Sequence, residues 1–153
     1  MGFVLEPVGH VRGGRVEAID DDWGPSRARI ELDPERFAPE ALFGLTDFSH
    51  AEIVFVFDQI TDDQIVLGAR RPRGREDWPL VGIFAQRGRN RPNRLGVSVC
   101  KILAVDGLTL EVEGLDAIDG TPVLDIKPVL KGFIPRGEVR EPAWAAEIME
   151  TYW

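Results

Sequence analysis

The chain of 153 residues contains one cysteine and two histidines. Cys100 has no partner for an internal disulfide, and with only His10 and His50 beside it the chain lacks the ligands for a Cys/His zinc site. No metal is therefore expected. No apolar run approaches the roughly 20 residues that cross a bilayer, and Glu6 and Pro7 interrupt the opening stretch MGFVLEPVGH where a signal peptide would carry its apolar core. A cytoplasmic protein with no membrane partner is expected. Internal repeats, low-complexity tracts and linkers are missing as well, which leaves a chain the size of one domain, able to bury about two-thirds of the surface its unfolded form exposes. The familiar catalytic signatures are also missing: there is no Gly-rich dinucleotide fingerprint after a strand, no P-loop, no zincin helix and no Gly-x-Ser-x-Gly elbow. Cys100 lies in the strand-like GVSVCKIL and reads as a buried thiol, and both histidines are far from it in sequence, so a hydrolytic triad is set aside.

Positive charge is scarce overall but concentrated where it occurs. The net charge is -8 and the pI about 4.8, which argues against loose binding to nucleic acid, because phosphate neutralisation supplies most of that affinity. Yet Arg70, Arg71, Arg73, Arg75, Arg87, Arg89, Arg91 and Arg94 fall within one stretch whose only acids are Glu76 and Asp77. An arginine-rich zone on an acidic body suits one anionic ligand held locally better than a long duplex laid across the surface.

Strand signals dominate the rest. FVLEPVGHVRG, RARIEL, AEIVFVFDQI, QIVLGAR, LVGIFAQR, LGVSVCKILAV, LTLEVEGL and PVLDIKPVL are short, rich in Val, Ile and Leu, and separated by Gly, Pro or Asp. Their spacing suggests an all-β sandwich or barrel. DPERFAPEALFGL is expected to hold a helical turn or two. In EPAWAAEIMETYW, Pro142 suits a first turn and Trp144, Ile148 and Tyr152 recur every fourth residue, as a short amphipathic helix on the barrel or on a partner requires. ARRPRGREDWP, residues 69–79, has the composition of a mobile loop.

A second dense stretch, VEGLDAIDGTPVLDIKP, carries Asp116, Asp119 and Asp125 among glycines. DGTP is a turn sequence in which Gly120 accepts positive φ and Pro122 stiffens the start of the next strand, so solvated acids on a hairpin are one reading of Asp119. VLDIKP places Asp125 and Lys127 on one face of a strand, where they can pair or line a pocket and where a carboxylate can hold sugar hydroxyls or accept a proton.

VGIFAQRGRNRPNRLGVSV followed by VEGLDAIDGTPVLDIKP, with DFSHAEIVFVF and PVGHVRG ahead of them in order, resembles the TsaA/TrmO-like family over about residues 4–130. The resemblance implies a small closed β-barrel, antiparallel or mixed, with a short C-terminal helix: residues 1–135 as the barrel domain and 136–153 as a tail. It implies an S-adenosylmethionine-dependent methyltransferase that modifies N6 of threonylcarbamoyladenosine beside the tRNA anticodon and works as a homodimer. Carried over onto this sequence, the cofactor contacts fall on Asp58, Gln59, Arg87, the backbone at Val97, and Gly114, Leu115 and Asp116. These types suit the ligand: arginine grips a carboxylate, and a carboxylate binds ribose hydroxyls. Arg89, Arg91 and Asn93 would meet the anticodon loop, or Arg91-Pro92-Asn93 would only shape the turn before the strand. Asp119 and Asp125 are the candidate proton acceptors, with Lys127 steering substrate or orienting Asp125.

The sequence departs from the family pattern at Asp58, where many relatives carry histidine, at Val129, where they carry tyrosine, and at DDWGPSR, which replaces an early Pro-Arg-Gln stretch. The chain also ends soon after the expected barrel, without the further domain of longer relatives. These departures bear on substrate more than on cofactor. Methylation of another RNA nucleotide or of a small molecule, and cofactor binding without catalysis, are the alternatives.

Overall fold

The computed structural model describes residues 1–153. Its strands are β1 (Gly9–Arg12), β2 (Arg27–Leu32), β3 (His50–Val56), β4 (Ala69–Arg70), β5 (Val81–Gly82), β6 (Leu95–Asp106), β7 (Thr109–Glu113) and β8 (Pro122–Pro128), and the one α-helix is α1 (Ala143–Met149). Six of them close a barrel in the order β1-β2-β7-β6-β3-β8, while β4 and β5 form a separate two-stranded pair. Every pairing is antiparallel. The barrel is therefore antiparallel throughout.

Period-two alternation explains which face is inside. In β3, HAEIVFV, Ala51, Ile53 and Phe55 are buried and point inward. Their partners on β6 are Cys100, Ser98 and Gly96. β7 adds Leu110 and Val112 to the same core, which Val11, Ile30 and Val123 complete. Gly96 is a packing necessity. A Cβ there would lie 2.5 Å from the Phe55 ring, which is 1% exposed and packed edge-on against Phe57.

Two strand-like segments behave differently from expectation. QIVLGAR and LVGIFAQR contribute only the two-residue strands β4 and β5. Gly68, Pro72, Gly74 and Pro79 interrupt the run, Leu67 and Leu80 stay exposed, and Ile83, the one apolar side chain of the two segments that is fully buried, lies in a 3₁₀ turn and not in a strand. The 69–79 segment is pinned rather than loose. Trp78 is 3% exposed, the Arg71 guanidinium donates to the carbonyls of Trp78 at 2.6 Å and Glu76 at 3.3 Å, and the Arg75 guanidinium lies 3.9 Å over the Trp78 ring.

The helical turns expected in residues 33–45 form as 3₁₀ turns at Pro39–Leu42 and Leu45–Asp47. α1 begins after Pro142 and stops at Met149, so Tyr152 lies beyond it. The helix packs on its own chain: Trp144 and Ile148 are half-buried, and the residues after it run back to β2's entrance, where the Asp22 and Trp23 amides donate to the Thr151 and Tyr152 carbonyls at 2.9 and 2.8 Å.

Candidate functional site

A segment with little regular structure leaves many backbone carbonyls without ladder partners, and buried carbonyls need donors. The arginines of 70–94 supply them. Arg91 donates to the carbonyl of Gln86 at 2.7 Å and more weakly to Gly88, Arg94 donates to Ile60 and pairs with Asp62 at 3.1 Å, and Arg70 reaches the Asn90 side chain at 3.1 Å. Gln86, 8% exposed, ties the same segment together through the Arg70 and Val81 carbonyls. Arg73 pairs with Asp21 at 3.1 Å and Arg75 with Asp77, while Arg87 donates to the Val97 carbonyl. Arg89 alone of the eight makes neither a hydrogen bond nor an ion pair, and it is exposed.

Arg87 and Asp116 converge on neighbouring residues of β6. Arg87 is held at Val97, and the next residue, Ser98, donates its hydroxyl to Asp116 Oδ1. The second oxygen of Asp116 accepts the Tyr152 hydroxyl. Arg87 and Arg73 both act on the Tyr152 phenol, which burial and the adjacent Asp116 carboxylate push well above the ordinary tyrosine range. Gly114, at φ 82°, turns the chain out of β7, and its amide donates to the Ser26 carbonyl at 2.8 Å. Leu115, 2% exposed, sinks into the core and leaves only its backbone toward this cluster. Arg87, Val97, Gly114, Leu115 and Asp116 are thus brought together in the structure, linked through Val97 and Ser98.

Asp58 and Gln59 are exposed just past β3, where the Phe57 amide donates to the Arg94 carbonyl at 2.8 Å. They sit at the β6 end that bears Val97, with no hydrogen bond joining them to the cluster. Asn93 is an exposed turn residue at φ 63°. Asp119 Oδ1 accepts the Gly13 amide at 2.9 Å and its own amide donates to Arg15, so it braces the β1 turn; Gly120 takes φ 87°. Asp125 and Lys127 pair at 3.0 Å on the outer face of β8. A register shift between Val54 and Phe55 sets Asp125 opposite Val54, and Glu52 lies opposite Lys127. Asp125 borders a separate cavity of about 560 Å³ lined mainly by Val8, Phe37, Leu42 and Phe48.

Ser98 and Tyr152 join the cluster without belonging to the residues expected there. A hydroxyl in an inward row of Gly96, Cys100 and Ile102 is a signal for Ser98, since such a group needs a partner. Tyr152 is the one tyrosine of the chain; its partner lies 36 residues away, out of reach of any local pattern.

Residues 22–133 match the family model described as the tRNA-methyltransferase O N-terminal domain, and the chain belongs to that family. Its Pseudomonas aeruginosa relative RcsF, named as an S-adenosylmethionine-dependent methyltransferase, is 36% identical over 146 residues, covering 91% of this chain and 58% of RcsF. The human tRNA (adenine(37)-N6)-methyltransferase is 36% identical over 116 residues, 76% of this chain and 25% of the human protein. The crystal structure of TrmO from Pseudomonas aeruginosa superposes with a TM-score of 0.73 at 30% identity, over 92% of this chain and 62% of that one. The chain thus spans little more than half of these Pseudomonas aeruginosa relatives and a quarter of the human one.

Proposed function

We propose that this chain binds S-adenosylmethionine in the cluster between Arg87 and Asp116 and serves methylation of N6 of threonylcarbamoyladenosine beside the tRNA anticodon. The donor set fits the ligand. Arg87 is exposed and spends one guanidinium nitrogen on Val97, which leaves further N–H groups for a carboxylate. Asp116 is an acceptor suited to ribose hydroxyls, and the β6 and Gly114–Leu115 backbone offers amides and carbonyls to an adenine edge. Asp58 and Gln59 close the exposed rim.

The bound cofactor supplies an electrophilic sulfonium methyl group. The chain's part is to align an acceptor nitrogen with it, and alignment of this kind accounts for most of the rate in such a reaction. Arg89 contacts phosphate in the RNA, while Arg91 and Asn93 hold the turn that presents it. The candidate proton acceptors are Asp119, whose Oδ1 accepts the Gly13 amide, and Asp125, whose Oδ1 accepts the Ile126 amide and whose Oδ2 pairs with Lys127; either carboxylate would receive the proton that the amine sheds. Residues 1–135 form the catalytic barrel and 136–153 the tail that covers its site.

The observation that carries this reading is the convergence of Arg87 and Asp116 on Val97 and Ser98. Arg87→Ala removes a charge-assisted contact worth about 2 to 3 kcal/mol, so calorimetric affinity for S-adenosylmethionine is expected to fall roughly a hundredfold. An unchanged affinity would reject the site. A second copy is the proposed partner: Leu95, Val97 and Val99, outward on β6, remain 36, 37 and 47% exposed in the single chain. Light scattering at micromolar concentration is expected to give the dimer mass, and a monomer mass would reject it. No helix is long and apolar enough to cross a membrane, and a tRNA substrate supports a cytoplasmic location.

A further inference from the structure

Asp116 holds two hydroxyls, one on each oxygen. Ser98 Oγ donates to Oδ1 and the Tyr152 hydroxyl to Oδ2. A carboxylate is an acceptor only, with about four lone-pair positions, so one position on each oxygen remains, the number that a vicinal diol needs. Ser98 is part of the barrel. Tyr152 is not: it lies outside residues 22–133 that match the family, and reaches Asp116 because the tail returns across the barrel mouth.

The tail is fixed at that place by backbone. The Trp23 amide donates to the Tyr152 carbonyl at 2.8 Å and the Asp22 amide to the Thr151 carbonyl at 2.9 Å. The Tyr152 ring meets Trp153 edge-on at 4.8 Å, and Trp153 lies so close to Gly24 that a Cβ there would sit 2.8 Å from the Trp153 carbonyl carbon. Gly24 thus lets the Trp153 backbone approach closely.

Two guanidinium groups border this place: Arg87 sits on the Val97 carbonyl, next to Ser98, and Arg73 pairs with Asp21, next to the Asp22 amide that holds the tail. Without a donor on Oδ2, Asp116 has a charged partner at hand, and an Asp116–Arg87 pair would consume both ends of the site at once. A neutral donor on Asp116 keeps the carboxylate for the ribose and the guanidinium for the methionine carboxylate. The phenol performs this role at any working pH, because burial and Asp116 keep it protonated.

The geometry points to Tyr152 as a positioning residue of the cofactor site: its hydroxyl fixes Asp116 toward the ribose diol and keeps it apart from Arg87. This rests on the reading of Asp116 as the ribose acceptor. The test is calorimetric titration of the full chain with S-adenosylmethionine and with the 2′-deoxy analogue of S-adenosylhomocysteine, beside S-adenosylhomocysteine itself. Tyr152→Phe keeps the ring and removes only the hydroxyl. It is expected to weaken S-adenosylmethionine about tenfold, the effect of one hydrogen bond to a charged group, and to shrink the penalty for removing the 2′-hydroxyl from the ligand.

Gly24→Ala, which leaves Tyr152 in the sequence but obstructs the tail, is expected to reproduce the loss. Tyr152→Phe added to Asp116→Asn is expected to cost nothing further, because the two act through one carboxylate. Wild-type or tighter binding by Tyr152→Phe, or full additivity with Asp116→Asn, would overturn the assignment of Tyr152 while leaving Asp116 in place. Wild-type binding by Asp116→Asn alone would instead remove the ribose reading on which both depend.

Discussion

Trp78 and Glu147 join the central arginine segment to the terminal helix: the indole Nε1 donates to Glu147 Oε2 at 2.6 Å, across 69 residues of sequence. Trp78 is almost wholly buried, whereas its acceptor Glu147 is exposed. Glu147→Ala is expected to cost about 1 to 3 kcal/mol, the penalty of stranding a buried donor. For a chain of this size that lowers the melting temperature by roughly 2 to 4 °C per kcal/mol. Glu147→Gln keeps an acceptor and is expected to lose less. Thermal melts of the three proteins, followed by circular dichroism, check the order.

Gly96 opens the motif strand because Phe55 occupies the volume a side chain would take. Gly96→Ala forces the buried ring to move, and overpacking of this kind costs about 1 to 3 kcal/mol. Urea unfolding is expected to show a lowered midpoint with an unchanged slope. An unaltered midpoint would mean that Phe55 has room to shift.

An all-β sandwich or barrel was legible because strands such as β3 and β7 alternate cleanly, while β8, shifted by its bulge, does not; closure into a barrel came from the resemblance. HAEIVFV and TLEVE show inside and outside in their spelling, and LGVSVCKIL places Gly96, Ser98 and Cys100 inward. QIVLGAR and LVGIFAQR carry the same residue types, but which of them meet a core is decided by glycine and proline breaks and by arginine bonds to carbonyls, and neither leaves a periodic trace. The site was legible only through the resemblance. Arg87, Val97 and Asp116 come from three separate segments, and Tyr152 from a fourth that the family pattern does not include. The arginine-rich zone suggested one anionic ligand held locally, with Arg91 either a contact or a turn residue, whereas Arg91 and Arg94 are spent on backbone carbonyls and Arg70 on the Asn90 side chain.

Arg89 and Arg91 are therefore expected to separate. Arg89→Ala leaves no internal partner behind, so the melting curve is expected to stay in place while tRNA affinity falls and the slope of log K against log salt flattens by about one unit. Arg91→Ala strands the Gln86 carbonyl and is expected to cost about 1 kcal/mol of stability. Filter binding across a salt series, beside thermal melts, distinguishes the two. A lowered melting temperature in Arg89→Ala with no change in the salt slope would show that it too serves the fold.

Cys100 is 2% exposed beneath β3, and burial pushes its thiol from 9.0 up to about 12. Above pH 9 the unfolded chain releases this proton while the folded chain keeps it, so the unfolded state binds fewer protons and stability falls as pH rises toward 12. Below pH 9 both states hold the proton and the contribution is level. Tyr152, also shifted upward, acts in the same direction from about pH 10. In Cys100→Ala the decline between pH 9 and 12 is expected to be shallower than in the parent, as read by denaturant midpoints at each pH. Iodoacetamide at about pH 8, below the ordinary thiol range, is expected to leave the native thiol unmodified and to label it in urea.

Transfer of methyl to tRNA is the central claim, and it is read most directly by incubating the purified chain with methyl-labelled S-adenosylmethionine and total tRNA, then digesting the RNA to nucleosides. Label is expected in the N6-methyl derivative of threonylcarbamoyladenosine, and far less of it when Arg87→Ala replaces the parent at subsaturating cofactor. Label confined to another nucleoside, or no transfer to any RNA by a chain that still binds S-adenosylmethionine, would contradict it.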